Sequence, residues 1–168
     1  MVVAIVSQKG GTGKSTTAIT LAAGLGRSGK KILLIDLDSQ ANASKTLLPR
    51  YQDISKDDTL FSTVLTRKPL AIHQTGIPGV SIGPSHRLLS NPDIELTTAK
   101  DHRDARLKRR LDEIKNDYDF TIIDCPPALS WLTLNGMTAA DGILVVVAPG
   151  YFELESLVQL NKTVHEVQ

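Results

Sequence analysis

A lysine and a serine directly behind a cluster of glycines, together with aspartates that end apolar runs, are the residues of this chain equipped to do chemistry on a phosphate. The cluster reads Gln8-Lys9-Gly10-Gly11-Thr12-Gly13-Lys14-Ser15-Thr16. Glycines let the backbone wrap closely round a phosphate with its N–H groups turned inward, and a helix N-terminus behind them adds partial positive charge. Lys14 is a mobile point charge suited to the β- and γ-phosphates of a nucleoside triphosphate. Ser15 offers the hard oxygen that Mg²⁺ prefers. The spacing is that of a Walker A loop in a deviant form. The general motif has glycine five positions before Gly13, where this chain has Gln8 followed by an additional lysine, Lys9. A second ammonium can offset charge that develops in phosphoryl transfer; the plainer alternative is a solvated lysine at a strand end.

The carboxylates follow the same logic. Asp36-Leu37-Asp38-Ser39-Gln40 closes an apolar run, and alternation along a strand would place Asp36 and Asp38 on one side. Asp38 is the candidate for orienting an attacking water, although strand ends also carry aspartate for turn chemistry. Asp124 ends Phe120-Thr-Ile-Ile in a Walker B pattern, suited to holding Mg²⁺ through a water; the alternative is a turn or cap before Pro126. Cys125 is the only cysteine, which excludes an internal disulfide framework and a four-cysteine metal site. His73, His86, His102 and His165 are scattered without metal-ligand spacing and read as surface residues.

These groups need elements to position them. Val2 to Val6 is a continuous apolar, β-branched run, the pattern of a strand buried on both faces. From Lys14 the pattern turns helical, with Ile19, Leu21, Ala22 and Leu25 as an apolar stripe and Gly29 placed to end it. Lys31 to Asp36 is a second buried strand, so the first part of the chain is a βαβ unit with a right-handed crossover. Further on, the spacing predicts a short helix over Asp57 to Leu65, a short strand over Gly79 to Ile82 and a helix over Ala105 to Lys115. A strand at Phe120 to Asp124, a helix at Leu132 to Ala140, a strand at Gly142 to Val147 and a terminal helix from about Glu153 complete the reading. Pro69, Pro78 and Pro84 punctuate loops. The fold class is α/β: a mostly parallel twisted sheet with helices on both faces and a phosphate loop behind its first strand.

Composition agrees. The chain has 168 residues, 41% of them apolar and only 4% aromatic, enough for one buried core and short for two, so a single domain over 1–168 is expected. A net charge of +1 excludes a polycation that coats DNA or an acidic membrane unaided. The basic run Arg103, Arg106, Lys108, Arg109 and Arg110 reads as a solvated helix face opposite Leu107 and Leu111, with a patch for a phosphate backbone as the alternative. The apolar N-terminal run is only a strand long and has no basic leader. No stretch approaches the roughly 18 consecutive apolar residues of a membrane span, so the expectation is a soluble, cytoplasmic protein.

With these residues in place, the chain resembles the ParA family of partition ATPases, within the deviant Walker A group that also contains MinD-type division-site ATPases. Lys9-Gly-Gly-Thr-Gly-Lys-Ser-Thr16 matches the whole group. Asp36-Leu-Asp-Ser-Gln-Ala-Asn42 is similar to the partition branch's Asp-x-Asp-Pro-Gln-Gly-Asn, and Asp124-Cys-Pro-Pro-Ala-Leu-Ser130 to its Asp-x-Pro-Pro-Ser-Leu. Pro149 to Leu157 also resembles the family segment that follows the next strand.

The resemblance implies an ATP-dependent switch with ATP and Mg²⁺ as its ligands. Residues 9 to 16 and Asp124 would form the nucleotide site, and Ser15 and Asp124 would serve the metal. Lys14 would bind phosphate, Lys9 would reach across a sandwich homodimer to the partner's nucleotide, and Asp38 would act in hydrolysis. It further implies non-specific DNA binding by the ATP-bound dimer, release stimulated by a ParB-type centromere-binding partner, a nucleoid-associated location and no membrane. Ser39 and Ala41 stand where the family has proline and glycine, which can change the stiffness of that loop. Family chains usually continue beyond the position of Gln168, so this chain is either truncated or a compact variant. The alternatives are a MinD-type membrane-site regulator, a small-molecule ligase or kinase on the same scaffold, and a binding module that holds nucleotide with little turnover.

Overall fold

The computed structural model describes residues 1–7, 9–90, 102–127 and 130–148. Among these, β1 (Val2–Val6) leads through the glycine loop into α1 (Lys14–Arg27), and β2 (Ile32–Asp36) is followed by α2 (Asn42–Leu47) and α3 (Leu60–Thr66). A two-residue β3 (His73–Gln74) precedes β4 (Val80–Gly83), α4 (Arg106–Ile114), β5 (Phe120–Asp124), α5 (Trp131–Ala139) and β6 (Gly142–Val145). Short 3₁₀ turns lie at Tyr51–Asp53, Lys56–Asp58 and Arg87–Ser90. The strands order as β3-β4-β2-β5-β1-β6. Every pairing is parallel except β3 with β4, which is antiparallel. The expected α/β fold is therefore present, with β5 inserted between β1 and β2.

Alternation within the strands explains why both faces are covered. Ala4, Val6, Leu33, Ile35 and Ile123 form one buried layer with Leu60 and Val64 of α3, Leu107 and Leu111 of α4, and Leu132 and Met137 of α5. Ile5, Ile32, Leu34, Ile82 and Ile122 form the opposite layer with Ala18 and Ala22 of α1 and Ala43 and Leu47 of α2. Side chains of this kind each contribute about 1.5–3 kcal/mol on full burial, so the central strands fix the position of whatever stands at their ends.

The ends of α1 have identifiable causes. Its N-cap, Gly13, adopts a left-handed conformation (φ 92°), and its carbonyl accepts from both the Thr17 N–H at 2.8 Å and the Thr17 hydroxyl at 2.9 Å. At the other end the Lys30 N–H donates to the Leu25 carbonyl at 3.2 Å and the Gly29 N–H to the Gly26 carbonyl at 3.0 Å. These paired bonds are a Schellman stop at the expected glycine. The segment expected as one helix from Asp57 to Leu65 is instead two pieces that break at Thr59. The Thr59 hydroxyl accepts from the Phe61 N–H at 3.3 Å and caps α3, while the Ser55 hydroxyl accepts from Asp57 N–H at 3.3 Å and opens the preceding turn. Capping side chains of this type favour a restart over a continuous helix. The last strand stops at Val145, two residues short of its expected end. The expected terminal helix, the segment Pro149 to Leu157 and Gln8 lie outside the described residues.

Three of the five basic residues in the run before β5 do more than face water. Arg106 donates from Nη1 to the Val64 carbonyl at 2.8 Å and the Leu65 carbonyl at 3.3 Å. Arg110 donates to the Arg67 carbonyl and pairs with Glu113 at 2.7 Å. Both cations therefore close the C-terminus of α3, where carbonyls lack helical partners and the dipole favours positive charge. Lys108 and Arg109 are exposed, as a solvated helix face requires. The Arg103 guanidinium lies 3.9 Å over the Trp131 ring, a cation–π contact. Among the described residues no helix is long and apolar enough to cross a membrane.

Candidate nucleotide site

Parallel strands deliver their carboxyl ends to one edge of the sheet, and the candidate residues collect there. The glycine loop leaves β1; Asp36 ends β2; Asp124 ends β5, which lies between them. Register places Asp124 beside Ile5 on one side and beside Asp36 on the other. The sheet order thus brings together residues separated by most of the chain.

The loop itself is stitched by side chains. The Ser7 hydroxyl donates to the Lys9 carbonyl at 2.9 Å and accepts from the Thr12 hydroxyl at 2.9 Å. Gly11 and Gly13 have φ values of 77° and 92°, a region that L side chains seldom occupy. A Cβ at either position would meet no protein atom within 4 Å, so conformation rather than packing demands glycine there. Lys14, the first residue of α1, is buried, Ser15 is half-buried and Lys9 is exposed.

The acids occupy contrasting environments. Asp124 is fully buried, and among the described residues neither carboxylate oxygen has a partner at hydrogen-bond geometry. Burial raises its pKa to about 6; the nearby Ser15 hydroxyl and Lys14 ammonium oppose that rise, and Asp38 adds to it. Asp36 is fully buried as well, but well satisfied. Its Oδ2 accepts from the Ser44 N–H at 2.8 Å and the Ser44 hydroxyl at 2.7 Å, and its Oδ1 accepts from the Asp38 N–H at 3.2 Å. Burial and then the Asp124 charge still push its pKa up to about 7. Burial likewise drives the Cys125 thiol upward, with Asp124 adding to the effect, so it stays a neutral thiol rather than a nucleophile.

The strand ends at Asp36, but the Leu37 N–H still donates to the Asp124 carbonyl at 2.9 Å and Leu37 packs with Leu33 and Ile35, so the alternation of β2 runs on past its end. The chain turns after Asp38. The Ala41 N–H donates to the Asp38 carbonyl at 2.8 Å, and Asp38 Oδ1 accepts from the Gln40 N–H at 3.0 Å. Asp38 is buried, with only 6% of its surface exposed. Ala41, at the family's glycine position, adopts a left-handed φ of 54°, which costs an alanine about 1–2 kcal/mol. Sequence reasoning missed two buried serines here, Ser44 and Ser85. The available signal for Ser85 was its place after β4, in the same sheet and at the same edge; Ser44, on an unanticipated helix, had none.

A parallel sheet with β5 between its first two strands and a glycine loop running from β1 into the N-terminus of α1 define a P-loop nucleotide-binding fold. A family model described as an AAA domain matches residues 1–168. The chain is 38% identical over 169 residues to the sporulation initiation inhibitor protein Soj of Bacillus subtilis, covering 99% of this chain and 66% of that protein. It is 41% identical over 173 residues to the chromosome partitioning protein ParA of Caulobacter vibrioides, covering 99% of this chain and 63% of that one. It spans a little under two thirds of the length of these relatives.

Solved structures agree on the fold. Cobyrinic acid a,c-diamide synthase from Mycobacterium smegmatis with bound ADP and magnesium superposes with a TM-score of 0.89 at 32% identity, covering 99% of this chain and 67% of that one. A putative plasmid partition protein from Borrelia burgdorferi bound to AMPPNP gives a TM-score of 0.89 at 27% identity, covering 99% and 70%. The chain belongs to the AAA domain family matched over its whole length, in the ParA/Soj partition group.

Proposed function

We propose that this chain is the nucleotide-binding part of an ATP-dependent partition protein. Binding of ATP with Mg²⁺ drives formation of a sandwich homodimer that holds DNA without sequence preference. Hydrolysis, stimulated by a ParB-type partner, then releases the DNA and so moves plasmid or chromosome cargo. The observation that carries the reading is the Asp124 carboxylate, fully buried beside Lys14 and Ser15 and without a hydrogen-bond partner among the described residues. A buried carboxylate with no donor is costly, and a hydrated cation held against phosphate relieves that cost.

The residues present fit such a group. Mg²⁺ keeps several waters and draws on a hydroxyl, one or two carboxylates and substrate phosphates, which Ser15 and Asp124 can supply. When bound, the ion neutralises charge on the phosphates and favours departure of the leaving oxygen. Loop residues Gly10 to Thr16 cradle the phosphates with backbone N–H groups and the helix terminus. Lys14 holds the β- and γ-phosphates, and its burial strengthens that contact by excluding water. Lys9, exposed on the loop, reaches a partner subunit's nucleotide. Asp38 orients the attacking water. Relatives named for chromosome and plasmid partition support the cellular role; the location that follows is the cytoplasm, in association with the nucleoid.

The test is retention of the full encoded protein on non-specific duplex DNA, at moderate salt, with Mg²⁺-ATP, with ADP and without nucleotide. Salt must be controlled because it weakens backbone contacts steeply. Retention is expected only with ATP and should be lost in Lys9→Ala and Lys14→Ala. Intact ATP hydrolysis without retention under any nucleotide would refute the partition role and redirect attention to a metabolic or membrane-site relative.

A further inference from the structure

Four buried residues close a circuit of hydrogen bonds around the loop that carries Asp38. Asp36 Oδ2 accepts from the Ser44 hydroxyl at 2.7 Å, and that hydroxyl oxygen accepts from the Ser85 N–H at 2.9 Å. The Ser85 hydroxyl donates to the Asp38 carbonyl at 2.6 Å, and the Asp38 N–H donates to Asp36 Oδ1 at 3.2 Å, returning to the start. Asp36, Ser44 and Ser85 are each 0% exposed, so water cannot substitute for any of these bonds. Both backbone groups of Asp38 are thereby held, its N–H by Asp36 at the end of β2 and its carbonyl by Ser85 from beyond β4.

We propose that Ser85, with Ser44 behind it, is a positioning residue for Asp38: it locks the backbone of the loop so that the Asp38 carboxylate is presented at one fixed place beside the phosphate loop. The inference rests on the hydrolytic role given to Asp38 above. Three further features support it. Ala41 is held in a left-handed conformation at φ 54°, and strain of that kind persists only where the surroundings over-determine the backbone. The Asp38 carbonyl accepts two bonds, from Ser85 and from the Ala41 N–H at 2.8 Å, although one would satisfy it. Asp38 is buried and stands two residues beyond Asp36, which pairs with Asp124 across the sheet, so it belongs to the candidate site rather than to bulk water.

Ser85 is 47 positions from Asp38 in sequence, and it stands two residues beyond the end of β4. A serine used only to fill the core would need no such partner: alanine has the same backbone and no hydroxyl to satisfy. Orientation of a reacting group within a few tenths of an ångström governs rate far more than it governs binding. Loosening this circuit should therefore appear in turnover while leaving nucleotide affinity to the loop and Lys14.

The test compares Ser85→Ala, Ser85→Cys, Asp38→Ala and the double variant Asp38→Ala with Ser85→Ala, all in the full encoded protein. Steady-state ATP turnover and equilibrium ADP binding are measured with Mg²⁺. Ser85→Ala is expected to lower kcat by about ten- to a hundredfold with ADP affinity unchanged. Ser85→Cys, which keeps the volume and a weak donor, should lie between it and the parent, and it carries the test alone if Ser85→Ala does not fold. The double variant should be no slower than Asp38→Ala, because a residue that acts through Asp38 has nothing left to position. Parental turnover in Ser85→Ala or Ser85→Cys while Asp38→Ala is stalled would overturn the positioning role alone. A parallel loss of ADP affinity, or a double variant slower than Asp38→Ala, would overturn it as well. Normal turnover in Asp38→Ala would bring down both this inference and the role of Asp38 beneath it.

Discussion

Two carboxyls buried side by side at the ends of neighbouring strands should make the protein without nucleotide or magnesium less stable as pH rises. The Asp36 carboxyl has a pKa of about 7 in the folded state against 3.8 for the ordinary group. A raised folded pKa means that the native state binds the proton more tightly than the unfolded chain. Its contribution is then fully present below the unfolded pKa and is lost as pH rises through the folded one. A difference of about 3 units at about 1.4 kcal/mol each sets a ceiling of about 4 kcal/mol. Asp124, raised to about 6, acts in the same direction, but the two charges are coupled and their contributions do not add. His86 works oppositely, because burial lowers its pKa and it favours the fold as pH rises.

Asp36→Asn removes the titration and keeps an oxygen acceptor for Ser44; its amide NH2 meets the Asp38 N–H, a cost that does not vary with pH and so leaves the slope as the readout. Urea unfolding from about pH 5 to about pH 8 should show the parent losing stability across the range, while Asp36→Asn loses less and levels off above about pH 6, because only Asp124 still titrates. A parent whose unfolding free energy is flat or rising over that range, or a variant with the parent's slope, would refute the reasoning.

Lys14→Ala should weaken ATP binding by about 2–5 kcal/mol, the usual cost of truncating one partner of a buried charge pair; equilibrium titration with a fluorescent ATP analogue checks it, and unchanged affinity would remove the phosphate-loop assignment. Asp124→Asn should reduce the gain in nucleotide affinity conferred by Mg²⁺ by about 10–100-fold, read by titrating ATP with the metal and with chelator; an undiminished gain would send the metal role elsewhere. Gly26→Ala should destabilise the fold by about 1–3 kcal/mol, because its Cβ would stand 2.6 Å from the Pro78 carbonyl oxygen and 2.7 Å from Val80 Cγ2. The carbonyl belongs to backbone that cannot retreat freely, as the next residue's carbonyl accepts from the Ile32 N–H at 2.7 Å; an unchanged urea midpoint would contradict that geometry.

What could be read from sequence was local or periodic. The phosphate loop is contiguous, and its flanks, a five-residue apolar strand and a helix with an apolar stripe, carry the two periodicities that distinguish strand from helix. Asp124 was legible because a buried strand that ends in an acid has few other uses. The environment of Asp38 was not, for its partners are set by tertiary contacts: Ser85 comes from beyond β4, and Ser44 from a six-residue helix too short to have a pattern of its own. Strand β3, two residues long, has no periodicity to detect. The basic run misled for a related reason, since charge spacing reveals a helix face but not that α3 ends beneath Arg106 and Arg110.

The strand order also fixes when the site can exist. Lys14 and Asp124 are about 110 residues apart, and at about 5–20 residues per second a ribosome takes about 5–20 s to cover that interval. Throughout it, β1 and β2 lack the strand that divides them, and each presents unpaired backbone along an apolar edge, a condition that invites wrong pairing. The strand that ends in Asp124 is thus also the wedge that completes the middle of the sheet. A nascent chain too short to have placed β5 has its glycine loop but no assembled site, so competence for nucleotide serves as a report that the centre of the sheet has closed.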